Sequence, residues 1–178
     1  LSGGNITMGT SSQITVTNSA NTSAITDTIS SNITLGGTPT WTVNNGGSVG
    51  TATLNVSGNI IGGTYGLTKA GNGTLTLSGA NTYTGTTAIN TGTLQIGAGS
   101  TTGSLSASSA ITNNGTLTFN RTNTLTQGTD FASTISGTGN LIQAGTGSLI
   151  LSGSNTYNGI TTLRAGTLQM AHASALGS

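Results

Sequence analysis

Few residues in this chain have the chemistry that catalysis or ligation needs. Five side chains are formally charged: Lys69, Arg121, Arg164, Asp27 and Asp130. Glu and Cys are absent, and His172 is the lone imidazole. Paired acid–base chemistry needs two carboxyl groups a few ångströms apart, and Asp27 and Asp130 lie 103 residues apart in sequence. One His with no Cys and no Glu makes a poor metal donor set. Near the end of the chain, His172 reads as a solvated tail residue. Serines are plentiful, but none has a partnered base to activate it. The glycines of Gly71-Asn72-Gly73 precede a strand rather than a helix, so they mark a turn and not a phosphate loop. No enzymatic activity, cofactor or metal is expected. Lys69, Arg121 and Arg164 are too scattered for a basic patch, and a net charge of +1 gives no electrostatic footprint for nucleic acid or anionic membrane. Two aromatic residues remain. Tyr83 and Tyr157 sit at equivalent places in a repeated text and would suit stacking on glycan rings. The simpler expectation is that each ring packs over its adjacent turn. Asn-x-Ser/Thr sequons at Asn5, Asn32, Asn55 and Asn120 follow from a composition rich in Asn and Thr.

The elements that would position such residues are set by composition and repetition. Only 3% of the 178 residues are charged, against roughly 25% in ordinary domains. No apolar run is long enough for a membrane-spanning helix, so no membrane insertion of this segment is expected. The surface must be built of Thr, Ser, Asn and Gly, a composition that fits either disorder or a β architecture with many turns. Repetition decides for β. Gly73–Ile96, GTLTLSGANTYTGTTAINTGTLQI, returns without a gap at Gly147–Met170 as GSLILSGSNTYNGITTLRAGTLQM, a shift of 74 residues. Such an array is the mark of a solenoid. Ile33–Val43 aligns with Leu67–Leu77 and begins the text a third time. That alignment sets Trp41 opposite Leu75, a buried position, and replaces Gly73 by Pro39 just before the strand, where proline costs no ladder bond.

The strand motif Gly-Thr/Ser-Leu-x-apolar begins at residues 73, 92, 115, 147 and 166. Alternating residues predict further strands over 13–17, 53–56 and 140–144. The fold class expected is all-β: a parallel β-helix (β-solenoid) of roughly eight coils, stacked ~4.8 Å apart into a rod about 40 Å long. It forms a single domain over residues 1–178, with module copies at 33–43 (partial), 66–97 and 140–171. Apolar side chains at Leu75, Leu77, Leu94, Ile96, Leu117, Phe119, Leu149, Leu151, Leu168 and Met170 should form the core ladder. Thr faces outward, suiting a pleated surface. Asn81 and Asn155 should sit at bends. With so few titratable groups, folding should couple weakly to pH.

The text Ala-Gly-x-Gly-Thr/Ser-Leu-x-Leu-Ser-Gly-x-Asn-Thr-Tyr-x-Gly, carried by Ala70–Gln95 and Ala144–Gln169, resembles the autotransporter-associated β-strand repeat of bacterial passenger domains. The resemblance implies a right-handed parallel β-helix, an extracellular or cell-surface location, and a structural or translocation-assisting role. The expected function is a structural stalk or fibre subunit. Because residues 177–178 followed by 1–2 would repeat the text at 103–106, end-to-end self-association into a filament is an expectation too. The alternatives are an adhesin that binds surface glycans or host surfaces, and an ice-binding solenoid built on Thr-x-Thr ranks.

Overall fold

The computed structural model describes residues 4–19, 23–46 and 50–177. Residues 1, 2 and 178, invoked for end-to-end phase, lie outside them. Twenty strands and no helix make up the described residues, and every strand pair is parallel. The chain is an all-β parallel solenoid.

Its strands form four faces. The first holds β1 (Ile6–Met8), β4 (Ile33–Leu35) and β7 (Ile60–Ile61). The second holds seven: β2 (Ile14–Asn18), β5 (Thr40–Asn45), β8 (Leu67–Ala70), β10 (Thr87–Ile89), β12 (Ile111–Asn113), β15 (Ile135–Gly137) and β18 (Thr156–Tyr157). The third also holds seven: β3 (Ile25–Ile29), β6 (Ala52–Val56), β9 (Thr74–Leu77), β11 (Thr93–Ser100), β13 (Thr116–Arg121), β16 (Asn140–Gln143) and β19 (Thr161–Leu163). The fourth holds β14 (Leu125–Thr126), β17 (Ser148–Leu151) and β20 (Thr167–Met170).

Seven-stranded faces correspond to about six turns, fewer than the roughly eight expected. The difference lies in coil length. Ile6 pairs with Ile33 and Ile33 with Ile60, so the first coils consume 27 residues each, whereas Leu75 pairs with Leu94 after 19. Six rises of one strand spacing give a stack roughly 30 Å long.

Alternation along each strand sends one file of side chains inward. On the third face Leu54, Leu75, Leu94, Leu117 and Leu141 stand in register and are buried. Beside them runs Val56–Leu77–Ile96–Phe119. Each such side chain leaves water entirely, at about 1.5–3 kcal/mol apiece. Leu149 and Leu151 are buried too, but on the fourth face, where Leu149 stacks between Leu125 and Leu168. The expected single ladder is therefore two. Leu168 is half-buried against the core, and Met170, expected within the ladder, is 60% exposed because no further rung covers the last coil.

The repeated module does not keep to one face. Its first strand lies on the first face at Ile33, the second at Leu67 and the third at Leu141. Its second strand likewise moves from Trp41 to Leu75 to Leu149. Inside each full copy the pairings are the same: Leu67 with Thr87 and Leu75 with Leu94, then Leu141 with Thr161 and Leu149 with Leu168. A module is thus two strands of one coil laid against two of the next. The 74-residue shift equals whole coils plus one face.

Candidate functional site

Tyr83 and Tyr157 lie inside the solenoid, each with no exposed surface. The Tyr83 hydroxyl shares a 2.8 Å hydrogen bond with Thr87 Oγ1, and Tyr157 a 2.6 Å one with Thr161 Oγ1. Burial pushes both phenols above their usual ionisation range, partly offset by those bonds. Neither ring offers a face to a sugar, which corrects the stacking expectation. The rings turn inward with Asn81 and Asn155, which tie rungs together. Asn81 Oδ1 accepts from Ile60 N at 2.9 Å, while Nδ2 donates to Ser104 O at 2.8 Å, so one side chain spans the coils on either side. Asn155 repeats this with Ile135 N and Ala175 O.

The charged residues are dispersed. Asp27 is exposed mid-strand on the third face in the first coil, and Asp130 lies at a late corner, so they form no pair. His172 is exposed, its Nδ1 accepting from Ser174 N, and Arg164 is exposed too. No cluster of metal-binding side chains occurs among the described residues. Two of the three cations are buried, which charge-based reasoning missed. Lys69 Nζ donates to Ala70 O and Gly71 O at 2.8 Å and Thr91 O at 3.3 Å, filling its three donors with turn carbonyls. Burial lowers its pKa to about 8. The equivalent residue in the second module, Gln143, donates to Gly145 O and Gly147 O. Trp41 is fully buried as aligned, and its Nε1 is the one buried side-chain N or O without a partner among the described residues.

Outward ranks are uneven. The third face shows Thr53, Thr74, Thr93 and Thr116 in register, but the neighbouring file reads Asn55, Thr76, Gln95 and Thr118. A regular Thr-x-Thr lattice is broken at Asn55 and Gln95.

A groove lies close to the residues where the register of β11 slips. The register slips between Ile96 and Ser100 in the second half of β11, and this irregular loop runs from 97 to 103. Gly97 and Gly103 at the ends of this loop take φ of 84° and 104°, which favour glycine. Arg121 pins the loop: Nη1 donates to Gly103 O at 2.8 Å and Nη2 to Thr101 O at 2.6 Å, while Nε donates to Asn123 Oδ1. Burial lowers the Arg121 pKa, and the Asp130 charge works against that shift. Beside the loop lies a groove of about 510 Å³ lined by Ser57, Asn59, Ser78, Ser104, Arg121 and Asp130 among others. Ile61, two residues along the first face from Asn59, and Tyr65, in the turn region that follows β7, are 42% and 41% exposed.

No helix of the described residues is long and apolar enough to cross a membrane. No solved structure matches the chain significantly. A 57-residue stretch is 47% identical to a protein named adhesin BmaC autotransporter from Brucella suis biovar 1 (strain 1330), covering 30% of this chain and 2% of that protein. Residues 67–96 and 141–170 each match the passenger-associated-transport-repeat family, and both stretches coincide with the two-rung modules described above. This chain is therefore a β-solenoid with two modules similar to the passenger-associated-transport repeat.

Proposed function

We propose that this chain is a non-enzymatic structural segment of a bacterial passenger, displayed at the cell surface or secreted, whose stacked coils serve as a stalk. The observation that carries this is the unbroken leucine column through five rungs, Leu54 to Leu141, beneath a surface almost free of charge. The two passenger repeats support the location. Antibodies raised against the purified chain should label intact, unpermeabilised cells of the source bacterium; labelling only after permeabilisation overturns the surface assignment.

End-to-end stacking into a filament is the finer part of the proposal. Support comes from the terminal rungs: Ile160, Leu163 and Met170 are exposed in the last coil, and Ile6, Met8 and Ile14 line an apolar recess in the first. Either surface would accept a further rung, from the same polypeptide or from another copy. Sedimentation velocity of the purified chain should show species growing with concentration, and a lone monomer at high concentration removes self-stacking. A lateral adhesive role is the second reading, favoured by the name of the matched Brucella protein.

A further inference from the structure

We propose that the groove beside Arg121, together with Ile61 and Tyr65, binds a neutral saccharide chain lying along the axis of the rod. This rests on the adhesive reading and gives it a site and a ligand class.

Two features of this surface lie within a few residues of each other. Among the described residues, large apolar side chains outside the last coil are exposed only at Ile61 and Tyr65. The groove lined by both a cation and an acid includes Asn59, two residues before Ile61. Asn59 and Ile61 are joined through Ile60, which is fully buried, so strand alternation turns both outward on the same face. An amide, several hydroxyls and an exposed apolar side chain thus follow one another on this face, with an exposed aromatic in the turn after it, the mixture that sugar rings use: hydroxyl groups to hydrogen-bond and C–H faces to cover apolar carbon.

The groove has a repeat that suits a polymer. Ala80 N donates to Asn59 Oδ1 at 2.8 Å, Ala80 bridges to Ser104, and Leu105 N donates to Asp130 O at 3.1 Å. Asn59, Ala80, Ser104 and Asp130 therefore occupy successive rungs, ~4.8 Å apart. One ring of an extended hexose chain advances by a similar length, so neighbouring sugars meet neighbouring rungs.

Other ligands fit less well. Arg121 uses Nε, Nη1 and Nη2 on Asn123 and on the loop carbonyls, and the Asp130 carboxylate lines the same groove, which disfavours anions. A peptide adding as a strand needs an unpaired backbone edge. Here Ser104 N already donates to Gly79 O and Ser104 O already accepts from Asn81 N.

The test is a printed array of neutral, sialylated and sulfated glycans probed with the full chain. Amide shifts of the labelled protein are then followed with the strongest neutral binder as titrant. Binding should be confined to neutral glycans, with shifts at Ser57, Ser78, Ser104 and Tyr65. Ser104→Phe, which fills the groove, and Tyr65→Ala should each weaken binding at least tenfold while the circular dichroism melt stays unchanged. Binding that survives both variants leaves adhesion intact but overturns this site. Preference for acidic glycans overturns the ligand class. No binding to any glycan overturns both the site and the glycan-adhesive reading, and leaves the structural role standing.

Discussion

Lys69 shows how a buried charge is accommodated without an acid. Strand alternation in Leu67-Thr68-Lys69-Ala70 turns position 69 inward with Leu67, and the ammonium then reaches three carbonyls at the following corner. The same alternation was legible in the sequence, where the residue was read only as one of three cations too scattered for a basic patch. The second module fills the position with Gln143, which donates to the same kind of turn carbonyl without a charge to desolvate. A pH dependence follows. Below pH 8 both folded and unfolded chains carry the Lys69 proton, and the folded state bears the full cost of burying it. Between about 8 and the ordinary 10.5 only the unfolded chain holds the proton, so stability should rise through that window by no more than about 3 kcal/mol. Above about pH 10 the sign reverses, because Tyr83 ionises in the unfolded chain while its folded pKa is raised. Urea unfolding from pH 7 to 11 should show this rise and fall. Lys69→Gln should flatten the rise and leave the fall; a flat wild-type curve would contradict the account.

At the scale of elements, stability resides in the columns. Leu94 stacks between Leu75 and Leu117 with no exposed surface, so Leu94→Ala should cost about 2–5 kcal/mol through lost burial and a cavity. Met170, the second module's counterpart of the fully buried Ile96, stands 60% exposed, and Met170→Ala should stay within about 0.5 kcal/mol. Chemical denaturation of both variants checks the contrast, and equal losses would sink it. The strands themselves were legible. The motif located β9, β11, β13, β17 and β20, and alternation located β2, β6 and β16. The faces were not legible. A leucine two places after a glycine says that a side chain points inward, but not toward which neighbour. The loop at 97–103 adds a face without any repeated text, so Leu117 and Leu149 looked like successive rungs of one ladder although they stand on different faces. The glycine at residue 92 marks what such corners demand. It takes φ of 69°, and a Cβ there would collide with Gly71 O of the coil beneath.

At the scale of the whole molecule, one core cluster runs from Met8 to Ala175, so unfolding should be strongly coupled along the stack. Coupling weakens toward the ends, where a rung has one neighbour. Amide hydrogen exchange should therefore be slowest at Leu75, Leu94 and Leu117 and fastest in β1 and β20, and uniform protection from end to end would contradict a nearest-neighbour stack. The winding number was the quantity least accessible to sequence, because a coil here ranges from 19 to 28 residues while its strands look alike. The stepping of the module from face to face has its own consequence. Were the 74-residue unit copied again by duplication, the newcomer would not line up behind its parents. Its Asn-Thr-Tyr bend would emerge on a fresh compass bearing, one corner further round. Lengthening by duplication would then distribute the same motif helically about the shaft, like the steps of a spiral stair, and leave no single flank on which every copy faces out together.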